Sequence, residues 1–256
     1  MPEVPETLFL DAIRTLVDLE KDWIPAEEGS ALYLRPLMFA TDEFIGVRAS
    51  DTYRFIIFAM PVGPYYAKPV QLKAETEYVR AVEGGVGEAK TAGNYAASLL
   101  PAKLARAEGF DQIMWLDAKE FKYVQEVGTM NIFFVIDGKV VTPSTDGAIL
   151  KGITRKSLIE ILGAEGYDVE ERKVSIDELV EAYEAGKLTE VFGSGTAAVV
   201  SMAERLHYKG VDMTFDTESY KVAPLAKSLI NGMRSGRLED TFGWVHRVPS
   251  PVAATS

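Results

Sequence analysis

The chain has 256 residues, 47% of them hydrophobic and 25% charged, a globular composition with room for one large domain or two modest ones. Acidic residues outnumber basic ones 38 to 27, and the net charge of -11 repels phosphate backbones and anionic membranes, so no nucleic-acid or membrane partner is expected. The lack of cysteine excludes disulfide scaffolds, thiolate metal sites and Cys nucleophiles; no apolar run is long enough to span a bilayer, Met1-Pro2-Glu3 opens an acidic stretch rather than a signal peptide, and a cytoplasmic location is expected.

Residues 6 to 23 place Leu8, Phe9, Ala12, Ile13, Leu16, Leu19 and Trp23 at three- and four-residue intervals, which predicts an amphipathic helix stopped by Pro25. Leu32–Leu37 and Arg54–Ala59 are rich in aromatic and branched residues and read as strands. Pro61, Pro64 and Pro69 then suppress both helix and ladder, which places a domain boundary there. Residues 1–66 form one expected domain, 67–76 a linker and 77–256 a larger domain. In the latter, a helix over Tyr95–Ala107 ends at Gly109, followed by strands Gln112–Leu116, Tyr123–Val127 and Asn131–Ile136. Asp137-Gly138 turns a hairpin into Lys139–Thr142. Thr154–Gly163 is helical by spacing, and Ser175-Ile176-Asp177-Glu178 fits a capping box opening the next helix. Thr189–Phe192, Ala197–Arg205 and a final helix over Val222–Arg234 complete a mixed order. Without clean βαβ repeats, this predicts an α+β fold with a largely antiparallel sheet.

Four segments carry chemistry. Glu83-Gly84-Gly85-Val86-Gly87-Glu88-Ala89-Lys90 is a glycine-rich run ending in lysine, but Ala89 stands where a nucleotide-binding P-loop needs glycine, so a solvated loop competes with a phosphate loop. Glu126-Val127-Gly128-Thr129-Met130-Asn131 sets a carboxylate at the end of an apolar strand; taken alone, Glu126 reads as a strand-end charge in water. Phe192-Gly193-Ser194-Gly195-Thr196-Ala197 turns through glycines and makes a nest for an anion. Gly152-Ile153-Thr154-Arg155 opens a helix, whose free N–H groups suit phosphate. His207 and His246 are far apart and lack triad or metal-ligand patterns, so they read as surface or packing residues.

Together the four segments ask for a cofactor that carries phosphate, needs a carboxylate and reacts with an amine. Pyridoxal 5'-phosphate meets all three demands: lysine forms a Schiff base with it, an acid keeps its ring nitrogen protonated, and backbone donors anchor its phosphate. In register with Leu32-Tyr33-Leu34-Arg35-Pro36 and Val62-Gly63-Pro64-Tyr65, the four segments resemble the ordered signature of branched-chain amino acid aminotransferases, of fold type IV among pyridoxal phosphate enzymes. The resemblance runs over essentially the whole chain.

It implies transfer of the amino group between leucine, isoleucine or valine and 2-oxoglutarate, in a homodimer. Lys90 would bind the cofactor and shuttle the proton, Tyr95 would meet its phenolic oxygen, Glu126 its ring nitrogen, and Leu150 its ring face. Ile153 and Thr154 amides with Thr196 would hold the phosphate, Arg80 would be a further phosphate neighbour, and Thr129 would join the cofactor set. Tyr33 with the Thr196-Ala197 turn would receive the substrate α-carboxylate, Arg35 the distal carboxylate of glutamate, and Met130 with Ala197 would line the side-chain pocket. Ala198 and Ser201 stand where mammalian members carry a Cys-x-x-Cys pair, so their thiol switch is lost. Members also carry residues ahead of the helix near Glu6, including a phosphate-binding arginine, so 1–66 are expected to be an incomplete small domain. The alternatives are an inactive or weakly active folding fragment of such an enzyme, or a D-amino acid aminotransferase or aminodeoxychorismate lyase of the same fold.

Overall fold

A computed structural model of the chain describes residues 1–27, 29–63 and 68–248. The chain divides into two units, Met1–Tyr65 with Asp240–Ser256, and Tyr66–Glu239. Pro64–Ala67, which hold the expected boundary after residue 66 and half of the Val62–Tyr65 match, lie outside the described residues.

In the first unit, α1 (Glu6–Glu20) runs into a 3₁₀ turn over Lys21–Trp23, so the predicted helix ends in a tighter turn before Pro25. Strands β1 (Ala31–Ala40) and β2 (Tyr53–Val62) pair antiparallel from Ala31 opposite Val62 to Ala40 opposite Tyr53. Each runs beyond its predicted limits. Pleat alternation puts Phe55, Ile57 and Ala59 on the half-buried face, where the Phe55 ring lies 5.9 Å from Phe9 of α1. Tyr33, Arg35, Leu37 and Phe39 share the other face with their partners Met60, Phe58, Ile56 and Arg54. The sequence predicts one domain over 77–256, but the segment from Asp240 groups with the first unit. Phe242 stacks on Trp244 at 4.3 Å, and Arg14 of α1 donates to His246 at 3.1 Å.

The second unit is built on a mixed sheet. Its elements are β3 (Val70–Ala74), α2 (Ala92–Ala107), β4 (Gln112–Leu116), β5 (Val124–Val127), β6 (Asn131–Ile136), β7 (Lys139–Pro143), α3 (Ile153–Ala164), β8 (Val169–Arg172), α4 (Ile176–Glu184), β9 (Leu188–Gly195), β10 (Val199–Tyr208), β11 (Val211–Thr214) and α5 (Val222–Arg234). The strands lie in the order β5-β4-β3-β10-β9-β6-β7-β8, with β11 beside β10. Most junctions are antiparallel, as predicted, but β4–β3, β3–β10 and β7–β8 are parallel. Two of these follow from helical crossovers, β3-α2-β4 and β7-α3-β8.

The expected linker 67–76 therefore contains a strand near the middle of the sheet. Val70, Leu72 and Ala74 are buried while Gln71 and Lys73 alternate with them, a period-two pattern that outweighs the nearby prolines. At the predicted hairpin, Asp137 and Gly138 both adopt left-handed φ, 52° and 79°, as a type I′ turn requires. The capping box forms by half: Ser175 accepts from the Glu178 amide at 3.0 Å, whereas the Glu178 carboxylate turns to Arg172 at 2.6 Å. The core fills both faces of β6. Ile132 and Phe134 join one apolar cluster, and Phe133 stacks on Phe192 of β9 at 5.2 Å.

Candidate active site

The residues expected to meet the cofactor lie in the second unit, on strand ends, loops and a helix start. The glycine-rich loop before α2 is tied by its own turns, with Gly85 N–H donating to Val82 and Ala89 N–H to Val86, both at 3.0 Å. Asn94, buried in the first turn of α2, donates to the carbonyls of Val86 and Ala89 at 2.8 and 2.9 Å and fixes the loop's path. Lys90 thereby projects from the loop end into the open. Its Nζ lies 2.9 Å from the hydroxyl of Tyr95 one turn into the helix.

Glu126 is the buried acid of the set. It sits on β5, is 4% exposed, and accepts a short hydrogen bond from the Leu150 amide. The Arg80 guanidinium lies 3.3 Å from the same carboxylate oxygen. Burial pushes the Glu126 carboxyl above the ordinary range, and Arg80, the Leu150 amide and Lys90 pull it back only in part. The resemblance puts Arg80 beside the phosphate; the structure puts its guanidinium on Glu126, because the carboxylate and two loop carbonyls converge on it.

The turn from β5 to β6 requires Gly128, whose φ is +56° and whose N–H donates to Ile113 at 2.6 Å, while Trp115 donates to its carbonyl at 3.2 Å. Thr129 is exposed at that turn, and Met130 is buried against Gly193, where a Cβ would stand 2.7 Å from the methionine methyl. Asn131 follows and donates to the Leu150 carbonyl at 2.8 Å. Its side chain also abuts Gly152, the N-cap of α3, which offers no side-chain cap. The N–H groups of Ile153 and Thr154 in the first turn of α3 thus have no intrahelical acceptor. Arg155 behind them is buried against Glu171 at 2.7 Å and the Pro143 carbonyl at 2.8 Å, which anchors that helix start.

The β9–β10 hairpin closes the set. Its tip exposes Thr196 and Ala197, and Val199 just after it is held at φ 58°, a conformation that a branched side chain resists. Ser194 pairs with Asn131 across the sheet, so the two side chains share a face, and the buried Ser194 hydroxyl has no partner among the described residues. A free hydroxyl on the face that leads through Asn131 to a helix N-terminus fits a phosphate group, and the Lys90, Tyr95 and Glu126 polar groups fit a pyridine ring with an aldehyde, a phenolic oxygen and a basic nitrogen.

Contacts link Lys90 with Tyr95, Glu126 with Arg80 and Leu150, Arg80 with Gly87 of the lysine-bearing loop, and Asn131 with Leu150 and the start of α3. Met130 links the β5–β6 turn to Gly193 and so to the strand that carries the Thr196 tip. Tyr33 and Arg35 lie on the first unit, with the Arg35 guanidinium 4.9 Å from the Tyr33 ring centroid. Asn94, Asn131 and Ser194 stand inside the recognised motifs, yet their anchoring contacts were not readable from them. The signal was present in the side chains, since an amide or hydroxyl among glycines and apolar residues must find a partner. The two histidines do structural work: His207 meets Asp212 at 2.8 Å, and His246 accepts from Arg14. Among the described residues no cluster of three His, Asp, Glu or Cys side chains is placed to hold a metal, and no helix is long and apolar enough to cross a membrane.

The Amino-transferase class IV family profile matches residues 1–202. This chain belongs to the class IV aminotransferases. The probable branched-chain-amino-acid aminotransferase of Staphylococcus epidermidis is 52% identical over 254 residues, which cover 97% of this chain and 71% of that protein. Branched-chain-amino-acid transaminase 1 of Bacillus subtilis is 49% identical over 255 residues, again 97% and 71%. Among solved structures, the T.th. branched-chain amino acid aminotransferase with pyridoxamine 5'-phosphate superposes with a TM-score of 0.80 at 28% identity, covering 97% of this chain and 77% of that one. The Escherichia coli branched-chain amino acid aminotransferase gives 0.78 at 26%, covering 96% and 78%. The α+β, fold type IV architecture of this class IV aminotransferase follows from both comparisons.

Proposed function

We propose that this chain binds pyridoxal 5'-phosphate and transfers the amino group between branched-chain L-amino acids and 2-oxoglutarate, as a cytoplasmic homodimer. The observation that carries the reading is the Lys90–Tyr95 contact at the end of a loop that Arg80 ties to the buried Glu126, together with an uncapped helix start. When bound, the cofactor supplies a carbonyl that exchanges amines and a ring that draws electrons from the substrate Cα.

The chain's own residues do the rest. Lys90 Nζ supplies the amine that anchors the cofactor and, once displaced by substrate, carries the proton to and from Cα. The Tyr95 hydroxyl orients that amine and meets the phenolic oxygen. Glu126 holds a proton at the ring nitrogen, Leu150 packs on the ring, and Thr129 borders it. The amides of Ile153 and Thr154 with the Thr196 hydroxyl bind phosphate at the positive end of α3. Tyr33 and the Thr196-Ala197 turn receive the α-carboxylate, Arg35 the distal carboxylate of glutamate, and Met130 with Ala197 the branched side chain. The relatives named for branched-chain amino acids support this substrate class.

Borohydride reduction with pyridoxal 5'-phosphate, followed by peptide mapping, tests the central assignment. A stable pyridoxyl group is expected on Lys90 and on no other lysine. Lys90→Ala should lose the label and all measurable transfer from leucine to 2-oxoglutarate. Labelling of a different lysine in the unmodified chain would refute the role.

A further inference from the structure

Arg80 has no part in the reaction as derived above, yet it ties together three segments that reach the site from separate places in the chain. Its side chain is 8% exposed. Its Nη2 lies 3.3 Å from the Glu126 carboxylate, donates to the Gly87 carbonyl of the lysine-bearing loop at 3.3 Å, and makes a short bond to the Ala148 carbonyl ahead of Leu150. The segments it bridges are already at closest approach, because a Cβ on Gly87 would overlap the Ala148 carbonyl. All three contacts fall on Nη2, while the buried Nε has no partner among the described residues, so what suits a guanidinium to this place is the charge it keeps at every working pH.

Glu126 needs such a partner. Two cations act on it, Arg80 and Lys90. Lys90 is an unsteady one, because its amine must give up its proton to attack a carbonyl. Arg80 is the permanent charge.

We propose that Arg80 is a positioning residue for this site, holding the Glu126 carboxylate ionised and in place while Lys90 changes its charge, and clamping the Gly87 and Ala148 segments around it. The inference rests on the reading above, in which Glu126 meets the ring nitrogen. An ionised Glu126 leaves the proton they share on that nitrogen. With Arg80 gone, the proton moves towards the carboxyl oxygen.

The test is the stability of Arg80→Gln and Arg80→Lys in urea without cofactor, each alone and combined with Glu126→Gln. Glu126 is raised in the folded protein, so the fold binds a proton that the unfolded chain releases, and stability falls as pH rises between the two values. Removing the Arg80 charge extends that fall to higher pH. The Arg80→Gln deficit should therefore grow about tenfold in unfolding equilibrium constant from about pH 5 to about pH 8, the equivalent of one further pKa unit. Arg80→Lys keeps the charge and should grow less than about threefold. With Glu126→Gln present the growth should vanish. A deficit equal at both pH values, or untouched by Glu126→Gln, would overturn the inference, since a merely structural arginine gives that result. Titration with pyridoxal 5'-phosphate separates the underlying reading: Arg80→Lys should bind it several-fold more weakly than the unaltered chain, because a shorter-reaching ammonium does not reproduce the guanidinium contacts to the Glu126, Gly87 and Ala148 oxygens, and no binding by the unaltered chain would overturn the reading itself.

Discussion

The two units solve the same problem with unequal means. In the second, β5 is buried at every residue and β4 and β6 at all but one, and helices or loops cover both faces of the sheet. In the first, no residue of α1, β1 or β2 is buried, and α1 covers one face of a two-stranded ribbon. Lys90, Glu126 and the start of α3 all belong to the second unit, with Glu126 on the buried sheet itself; Tyr33 and Arg35 belong to the ribbon. On the proposed reading, the groups that hold the cofactor would stand on the unit whose backbone packing fixes them, and Tyr33 and Arg35, proposed to meet substrate, on the thinner one.

The contrast is broken most severely at Phe133. Its ring is wholly buried and stacks on Phe192 at 5.2 Å, so Phe133→Ala removes a large side chain from a packed core and leaves a cavity. A loss of about 3–5 kcal/mol is expected in urea unfolding. A loss below about 1 kcal/mol would mean that the core of the second unit repacks freely, and the rigidity argued for the site would fail.

How much of this was legible from the sequence follows the same division. The motifs around Lys90, Glu126, Thr154 and Thr196 were readable because glycine turns and a helix start are local features. The helices α2, α3 and α5 were readable, α3 from its apolar spacing and α2 from the glycine that ends it. The parallel parts of the sheet were not, because β3 lies among prolines and β8 is the short charged run Val169–Arg172. Missing both strands hides both helical crossovers, and the sheet then looks more antiparallel than it is. The Arg80–Glu126 contact was invisible for another reason: 46 residues separate them, and only tertiary folding brings them together. The return of Asp240 and the following residues to the first unit is likewise a long-range fact that no periodicity announces.

A medium effect is expected at the edge of the core. Glu190 is buried on β9 and accepts from the amides of Lys221, Val222 and Ala223 at 2.6, 2.8 and 2.9 Å, which caps α5 from a neighbouring strand. Its charge faces the positive end of that helix. Glu190→Gln keeps the shape but removes the charge and turns one acceptor into a donor facing an N–H. A cost of about 1.5–3 kcal/mol follows, typical of losing hydrogen bonds to a charged group. Urea unfolding with a probe on α5 measures it, and an unchanged midpoint would show that the helix start is satisfied without the carboxylate.

The smallest effect is expected on the ribbon. Leu37 is 44% exposed and faces Ile56, itself 37% exposed, across β1 and β2. The face they share with Phe39 and Phe58 is the one turned from α1, so nearly half of Leu37 is already in water before truncation. Truncation then forfeits one cross-strand contact and no packed volume, and no cavity forms. Leu37→Ala should cost less than about 1 kcal/mol, near the range of ordinary surface substitutions. The same change at a fully buried leucine such as Leu158 of α3 belongs to the range of about 2–5 kcal/mol. If Leu37→Ala costs as much as Leu158→Ala in the same urea experiment, the exposed ribbon face is covered in solution, and the comparison between a thick unit and a thin one no longer holds.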